Sequence, residues 1–86
     1  MRLDKFLQAS RFIKRRALAN RLCDAGKITL NGKRAKAAAE VKVGDLIGVD
    51  FVTRQIVAKV LRIPEGRPSP EPVYQVVEDR RPAEAW

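Results

Sequence analysis

The stretch Leu22-Cys23-Asp24-Ala25-Gly26-Lys27-Ile28-Thr29-Leu30-Asn31-Gly32-Lys33-Arg34-Ala35 changes its period partway through, and that change decides the fold. Up to Ala25 the apolar positions recur at helical spacing, with Leu18, Leu22 and Ala25 as the stripe and Ala19 and Cys23 alongside. The spacing predicts a helix over 15–25, closed by Gly26, which suits the left-handed position after a helix end. From Ile28 onward the period is two. Asn31-Gly32 between Ile28-Thr29-Leu30 and Lys33-Arg34-Ala35 predicts a hairpin, because both residues tolerate positive φ.

Upstream, Leu3, Phe6 and Leu7 share one face of a helix expected over 2–9, with Asp4 complementing the dipole in its first turn. Residues 10–14 connect the helices and carry Phe12 and Ile13 as apolar anchors. Downstream, 37–40 suit either a helical turn or a loop. Val43-Gly44-Asp45 is a turn into a strand over 46–51, and Arg54 to Ile63 is a further extended stretch. Pro64, Pro68, Pro70 and Pro72 then fall within nine residues and predict an extended loop. Val73 to Val77 reads as a strand returning to the sheet. The expected organisation is one α+β unit: a domain over 1–63, a Pro-rich loop over 64–72, a returning strand over 73–79 and a tail over 80–86.

With 86 residues there is room for one small domain, and with five aromatic side chains its core must be mostly aliphatic. Cys23 is the one cysteine and histidine is absent, which excludes an internal disulfide and leaves zinc without its preferred ligands. No apolar run, glycine aside, exceeds three residues, so neither a membrane span nor a signal peptide is expected, and the compartment expected is the cytoplasm. Catalysis has little support. Ser10 and Ser69 lack a nucleophile-elbow context, and Gly44-Asp45-Leu46-Ile47-Gly48 lacks a phosphate-loop ending. Asp45 and Asp50 read as turn and strand-edge residues before they read as a carboxylate pair. Cys23, although Lys27 lies one turn away, reads as a small core residue.

Charge carries the functional signal. The chain has 18 Lys+Arg against 10 Asp+Glu, a net of +8. Residues 1–36 hold 11 basic and 2 acidic side chains, a net of +9, while 37–86 hold 7 and 8, a net of −1. So one-sided an excess fits a face that meets a polyanion. Lys14-Arg15-Arg16 opens the second helix, where backbone N–H groups also favour anions. Arg2, Lys5 and Arg11 flank it, and Lys33, Arg34 and Lys36 follow the hairpin turn. Guanidinium forks match phosphate oxygens in pairs. The plainer reading, a solvated face or a localisation signal, is disfavoured because the cluster recurs in three elements. Phe6 and Phe12 sit at core-like positions, so base stacking on exposed rings is less supported than recognition of phosphates and RNA shape. The 11–16 and 33–36 clusters are expected as separate elements that engage two phosphate surfaces.

The runs Arg2-Leu3-Asp4-Lys5-Phe6-Leu7, Lys14-Arg15-Arg16-Ala17-Leu18-Ala19, Cys23-Asp24-Ala25-Gly26-Lys27-Ile28 and Leu30-Asn31-Gly32 resemble the RNA-binding domain first described in ribosomal small-subunit protein four, the alpha-L domain. The resemblance covers residues 1 to about 50. It implies two short helices packed on a small, bent, mostly antiparallel sheet, with RNA against the helices and hairpin. Among short members, the chain is most similar to the bacterial ribosome-associated quality-control factor P family. That resemblance implies a monomer without cofactor or catalytic activity on the large ribosomal subunit. It would touch rRNA and peptidyl-tRNA and work with the factor that tails stalled chains with alanine. The candidate phosphate contacts are Arg2, Arg15 and Arg16 first, then Lys5, Arg11 and Lys14, then Lys33, Arg34 and Lys36. The alternatives are a heat-shock-type recycling factor of the large subunit and a protein-docking module that does not bind RNA.

Overall fold

Leu3, Phe6 and Leu7 have no solvent exposure and lie together on the inner face of α1 (Leu3–Ala9). The helix starts without a side-chain cap. Its first free N–H donors are satisfied instead by the segment after the hairpin. Leu3 N–H donates to the Ala39 carbonyl at 2.8 Å and Asp4 N–H to the Ala37 carbonyl at 3.1 Å. The 37–40 stretch, open between helical turn and loop in the sequence, is thus a turn strapped across the N-terminus. A computed structural model describes residues 1–51, 54–64 and 72–80.

The second helix, α2 (Arg16–Asp24), buries Ala19 and Cys23, with Leu22 packed partly against the core. The expected stripe of Leu18, Leu22 and Ala25 is therefore rotated: Leu18 is 46% exposed and Ala25 faces solvent. Small residues at 19 and 23 let α2 sit close against α1 and the first strand, and that close approach excludes the bulkier Leu18. Gly26, at φ 74, ends the helix. Its N–H donates to the Cys23 carbonyl at 3.0 Å and Lys27 N–H to the Leu22 carbonyl at 2.9 Å, the paired bonds of a glycine-terminated helix.

Among the described residues five antiparallel strands follow: β1 (Ile28–Leu30), β2 (Lys33–Arg34), β3 (Leu46–Phe51), β4 (Arg54–Val60) and β5 (Tyr74–Arg80). They form one bent sheet in the order β2-β1-β3-β4-β5. The hairpin turn holds Asn31 at φ 53 and Gly32 at φ 85, as a two-residue turn between paired strands requires. Asn31 also ties the hairpin to β3, since its side-chain oxygen accepts from Leu46 N–H at 3.0 Å. Ile28, Ile47, Val49 and Val60 face the helices and complete the core with α1. On the opposite face, Thr29 leans over Gly48, and a Cβ there would overlap the Thr29 hydroxyl. β5 pairs with β4 across a bulge at Val57/Ala58 and returns the chain to the sheet as expected. It includes Arg80, placed in the tail by the sequence reading. Of the expected Pro-rich loop over 64–72, residues 65–71 lie outside the described residues, as do residues 81–86 of the expected tail.

Candidate nucleic-acid interface

Asp4 is 2% exposed, and two arginines close over it. Arg16 Nε donates to its Oδ2 at 3.3 Å and Arg2 Nη2 donates to the same oxygen at 3.4 Å. Lys5 N–H donates to the other oxygen, Oδ1, at 2.8 Å. Burial pushes the carboxyl up, but the Lys5 N–H bond, the Arg16 bond and charge, and the Arg2 charge outweigh it and hold it below the ordinary carboxylate value. Asp4 is thus a fixed anion. It locks α1 to the start of α2 and sets the direction of both guanidinium groups, whose side chains remain half-exposed. Arg16 is held through its Nε, and Arg2 through Nη2 and through its Nε, 3.3 Å from Oδ1.

Arg2 also borders a second feature. Between the end of α2, β2 and the 35–38 turn lies a depression of about 620 Å³, lined by Arg2, Asp24, Gly26, Arg34 and Lys36 among others. The Arg34 side chain lies over Gly26, with its Nε 3.3 Å from where a Cβ would stand. Gly26 therefore serves twice: it ends α2, and its bare surface seats Arg34. Arg2 belongs both to the Asp4 clamp, with Arg16, and to the lining of the depression, with Arg34 and Lys36.

The remaining candidates fall on either side. Lys5, Arg11, Lys14 and Arg15 are exposed around the connector and helix start. Arg11 adopts φ 63, an uncommon conformation for a non-glycine residue. Lys33 is exposed but neighbours Arg34 on a strand, where consecutive side chains point to opposite faces, so it does not line the depression. Among the described residues none of Arg11, Lys14, Arg15, Lys33 and Lys36 is ion-paired with an acid.

Asp4 was missed as an organiser. Read alone, it is a first-turn acid. Its position between Arg2 and Arg16 emerges only when the helices pack. Tyr74 was missed as well: its ring meets Phe12 at 4.9 Å, so Phe12 is half-buried against β5 rather than lodged in the main core. Cys23 is a core residue as expected. Burial, with the charges of Asp4 and Asp24, pushes its thiol up to about 11. Among the described residues no cluster of His, Cys, Asp or Glu is arranged to hold a metal, and no helix is long and apolar enough to cross a membrane.

Helices on a bent antiparallel sheet, with a cationic face across helix starts and hairpin, define an alpha-L RNA-binding domain. Comparison with known proteins agrees. The S4 domain family matches residues 1–47. The RQC P-site tRNA stabilizing factor of Bacillus subtilis is 50% identical over 60 residues, 70% of each chain. That of Streptococcus pneumoniae is 35% identical over 83 residues, 94% of each chain. Among solved structures, trimeric heat shock protein 15 of Vibrio cholerae superposes with a TM-score of 0.77 at 34% identity, covering 88% of this chain and 80% of its own. The chain belongs to the S4-domain family, in the group that holds the RQC P-site tRNA stabilizing factors and heat shock protein 15.

Proposed function

We propose that this chain acts in the cytoplasm on the large ribosomal subunit, where it binds rRNA and peptidyl-tRNA through their phosphates and so supports alanine tailing of stalled nascent chains by the tailing factor. One observation carries the reading: Arg2, held with Arg16 by buried Asp4, also lines the depression that carries Arg34 and Lys36. Fixed guanidinium groups at several points along one surface suit a folded polyanion better than a small ligand. The names of the relatives, which specify a P-site tRNA, fit a surface of this kind. Lys5, Arg11, Lys14, Arg15 and Lys33 extend it at the margins. The chain acts as a monomer in this reading, since the cationic face is complete within one copy.

Similarity to heat shock protein 15 favours a second reading, a recycling factor for large subunits. Sedimentation of the tagged chain separates the possibilities. Comigration with free large subunits, abolished by nuclease and by the Arg2→Ala/Arg16→Ala double variant, is expected. Nuclease-resistant association with a protein would overturn RNA binding. Equal binding with and without a stalled chain would favour the recycling role.

A further inference from the structure

The S4-domain match ends at residue 47, yet the basic connector between the helices is touched from well beyond it. This connector carries Arg11, Lys14 and Arg15, all exposed. Its backbone starts from the end of α1: Arg11, at φ 63, takes the left-handed position after the helix, its N–H donating to the Gln8 carbonyl at 3.0 Å, and Phe12 N–H donates to Ser10 Oγ at 3.3 Å. Beyond that turn two side chains anchor it. Ile13 is 3% exposed, and its N–H donates to the Leu7 carbonyl at 3.0 Å. Phe12 turns the other way, and its ring meets that of Tyr74 with centroids 4.9 Å apart and planes at 46°. That tilted geometry is a favourable one for aromatic pairs. Tyr74 is itself fixed by pairing with Val60, which is buried. The next residue on the same face of β5, Val76, is largely exposed. Through Phe12, Tyr74 thus joins the last strand to the connector of the helical half.

We infer that Tyr74 is a positioning residue for RNA binding, which through Phe12 holds the connector so that Arg11, Lys14 and Arg15 meet phosphates together. The inference rests on the RNA-binding reading and adds to it a residue outside the matched domain. A merely structural Tyr74 would lower stability and weaken every RNA contact alike. A positioning Tyr74 acts on the connector alone, because the depression that Lys36 lines with Arg2 and Arg34 is bordered by neither the connector nor Tyr74.

Binding of the full chain to purified large ribosomal subunits tests this by a double-mutant cycle, with folding verified by circular dichroism. Tyr74→Leu is expected to weaken binding about tenfold and Tyr74→Phe to leave it unchanged. Lys14→Ala should cost about tenfold in the unchanged chain but under about threefold in the Tyr74→Leu background, while the cost of Lys36→Ala stays the same in both. Phe12→Leu should reproduce Tyr74→Leu from the other side, and it decides the matter if Tyr74→Leu fails to fold. Additive costs for Lys14 and Tyr74, or full-strength binding by either ring variant, would overturn the inference while RNA binding stands. No binding by the unchanged chain would overturn the parent reading and this one with it.

Discussion

Asp4 and Arg16 lie 12 residues apart in the chain and are joined at 3.3 Å between the starts of two helices. Fold and proposed function meet in that bond, since the guanidinium that closes over a buried carboxylate stays half-exposed and is the one assigned to phosphate in the proposal above. Replacing Asp4 by Asn keeps the shape but aims an amide N–H₂ at arginine donors. Stability is expected to fall by about 1.5–3 kcal/mol, the range for hydrogen bonds to charged groups. RNA affinity should fall as well, because both forks lose their orientation. Urea unfolding and RNA titration check the pair of effects. Tighter RNA binding by Asp4→Asn would mean that the carboxylate only blunts the positive face.

The same carboxyl sets an acid limit. Its value in the fold lies below the ordinary one, so the folded state binds this proton less readily than the unfolded chain. The clamp therefore contributes its stability above the unfolded value, near pH 4, and loses it as pH falls through the folded value. Thermal melts between pH 7 and pH 2 should show a steep acid limb in the unchanged chain and a shallower one in Asp4→Asn. Identical limbs would separate Asp4 from acid stability.

Cys23 gives the opposite limit. Its thiol, pushed up to about 11, stays protonated in the fold at pH values where the unfolded chain has already lost its proton. Stability should fall as pH rises from about 9, the ordinary thiol value, toward the folded one, by on the order of 3 kcal/mol. Cys23→Ala lacks this loss, and comparing the two removes contributions from lysine. Alkylation by iodoacetamide at pH 7.5 should be slow in the native chain and fast in denaturant. Rapid native alkylation would mean that the thiol is reactive and accessible.

Much of this fold was legible because local signals agreed with one another. Asn31-Gly32 marks its hairpin by backbone chemistry, and Gly26 marks a helix end, whatever the rest of the chain does. The face of α2 was less legible. Periodicity favours large residues, so it selected Leu18, whereas close packing against α1 selected Ala19 and Cys23. Charge counting found the basic half but not its arrangement. That Arg2 belongs with both Arg16 and Arg34 depends on the 37–41 turn crossing the N-terminus, a long-range contact without sequence periodicity. Tyr74 escaped for the same reason, since its partner lies on the far side of the chain.

Salt dependence measures how many of these charges work together. If about five phosphates are neutralised, log K should fall against log salt with a slope of roughly −3 to −4.5. Arg16→Ala should cost one to two decades in affinity, about 1.5–3 kcal/mol, and should flatten the slope by roughly one. Lys59→Ala, on the exposed side of β4, should change neither. Arg67→Ala is a further control outside the described residues. A near-zero slope for the unchanged chain would leave the basic half as solvated surface and favour a protein-docking role.

The shared position of Arg2 sharpens what tRNA should add. Were the 11–16 and 33–36 clusters independent, rRNA and tRNA would each take one, and neutralising either would abolish only its own contact. Arg2 belongs to both the Asp4 clamp and the depression with Arg34 and Lys36, and so joins the two clusters. In the proposed function, a tRNA beside bound rRNA meets the joined clusters at high effective concentration. Purified large subunits carrying peptidyl-tRNA are therefore expected to bind the chain more tightly than empty ones at the same salt. Arg2→Ala should shrink the preference more than Lys33→Ala, since Lys33 points away from the depression. Direct titration of both kinds of subunit with the three proteins checks this. Equal affinity for loaded and empty subunits would confine the face to rRNA, and an equal effect of the two substitutions would mean that Arg2 does not join the two clusters.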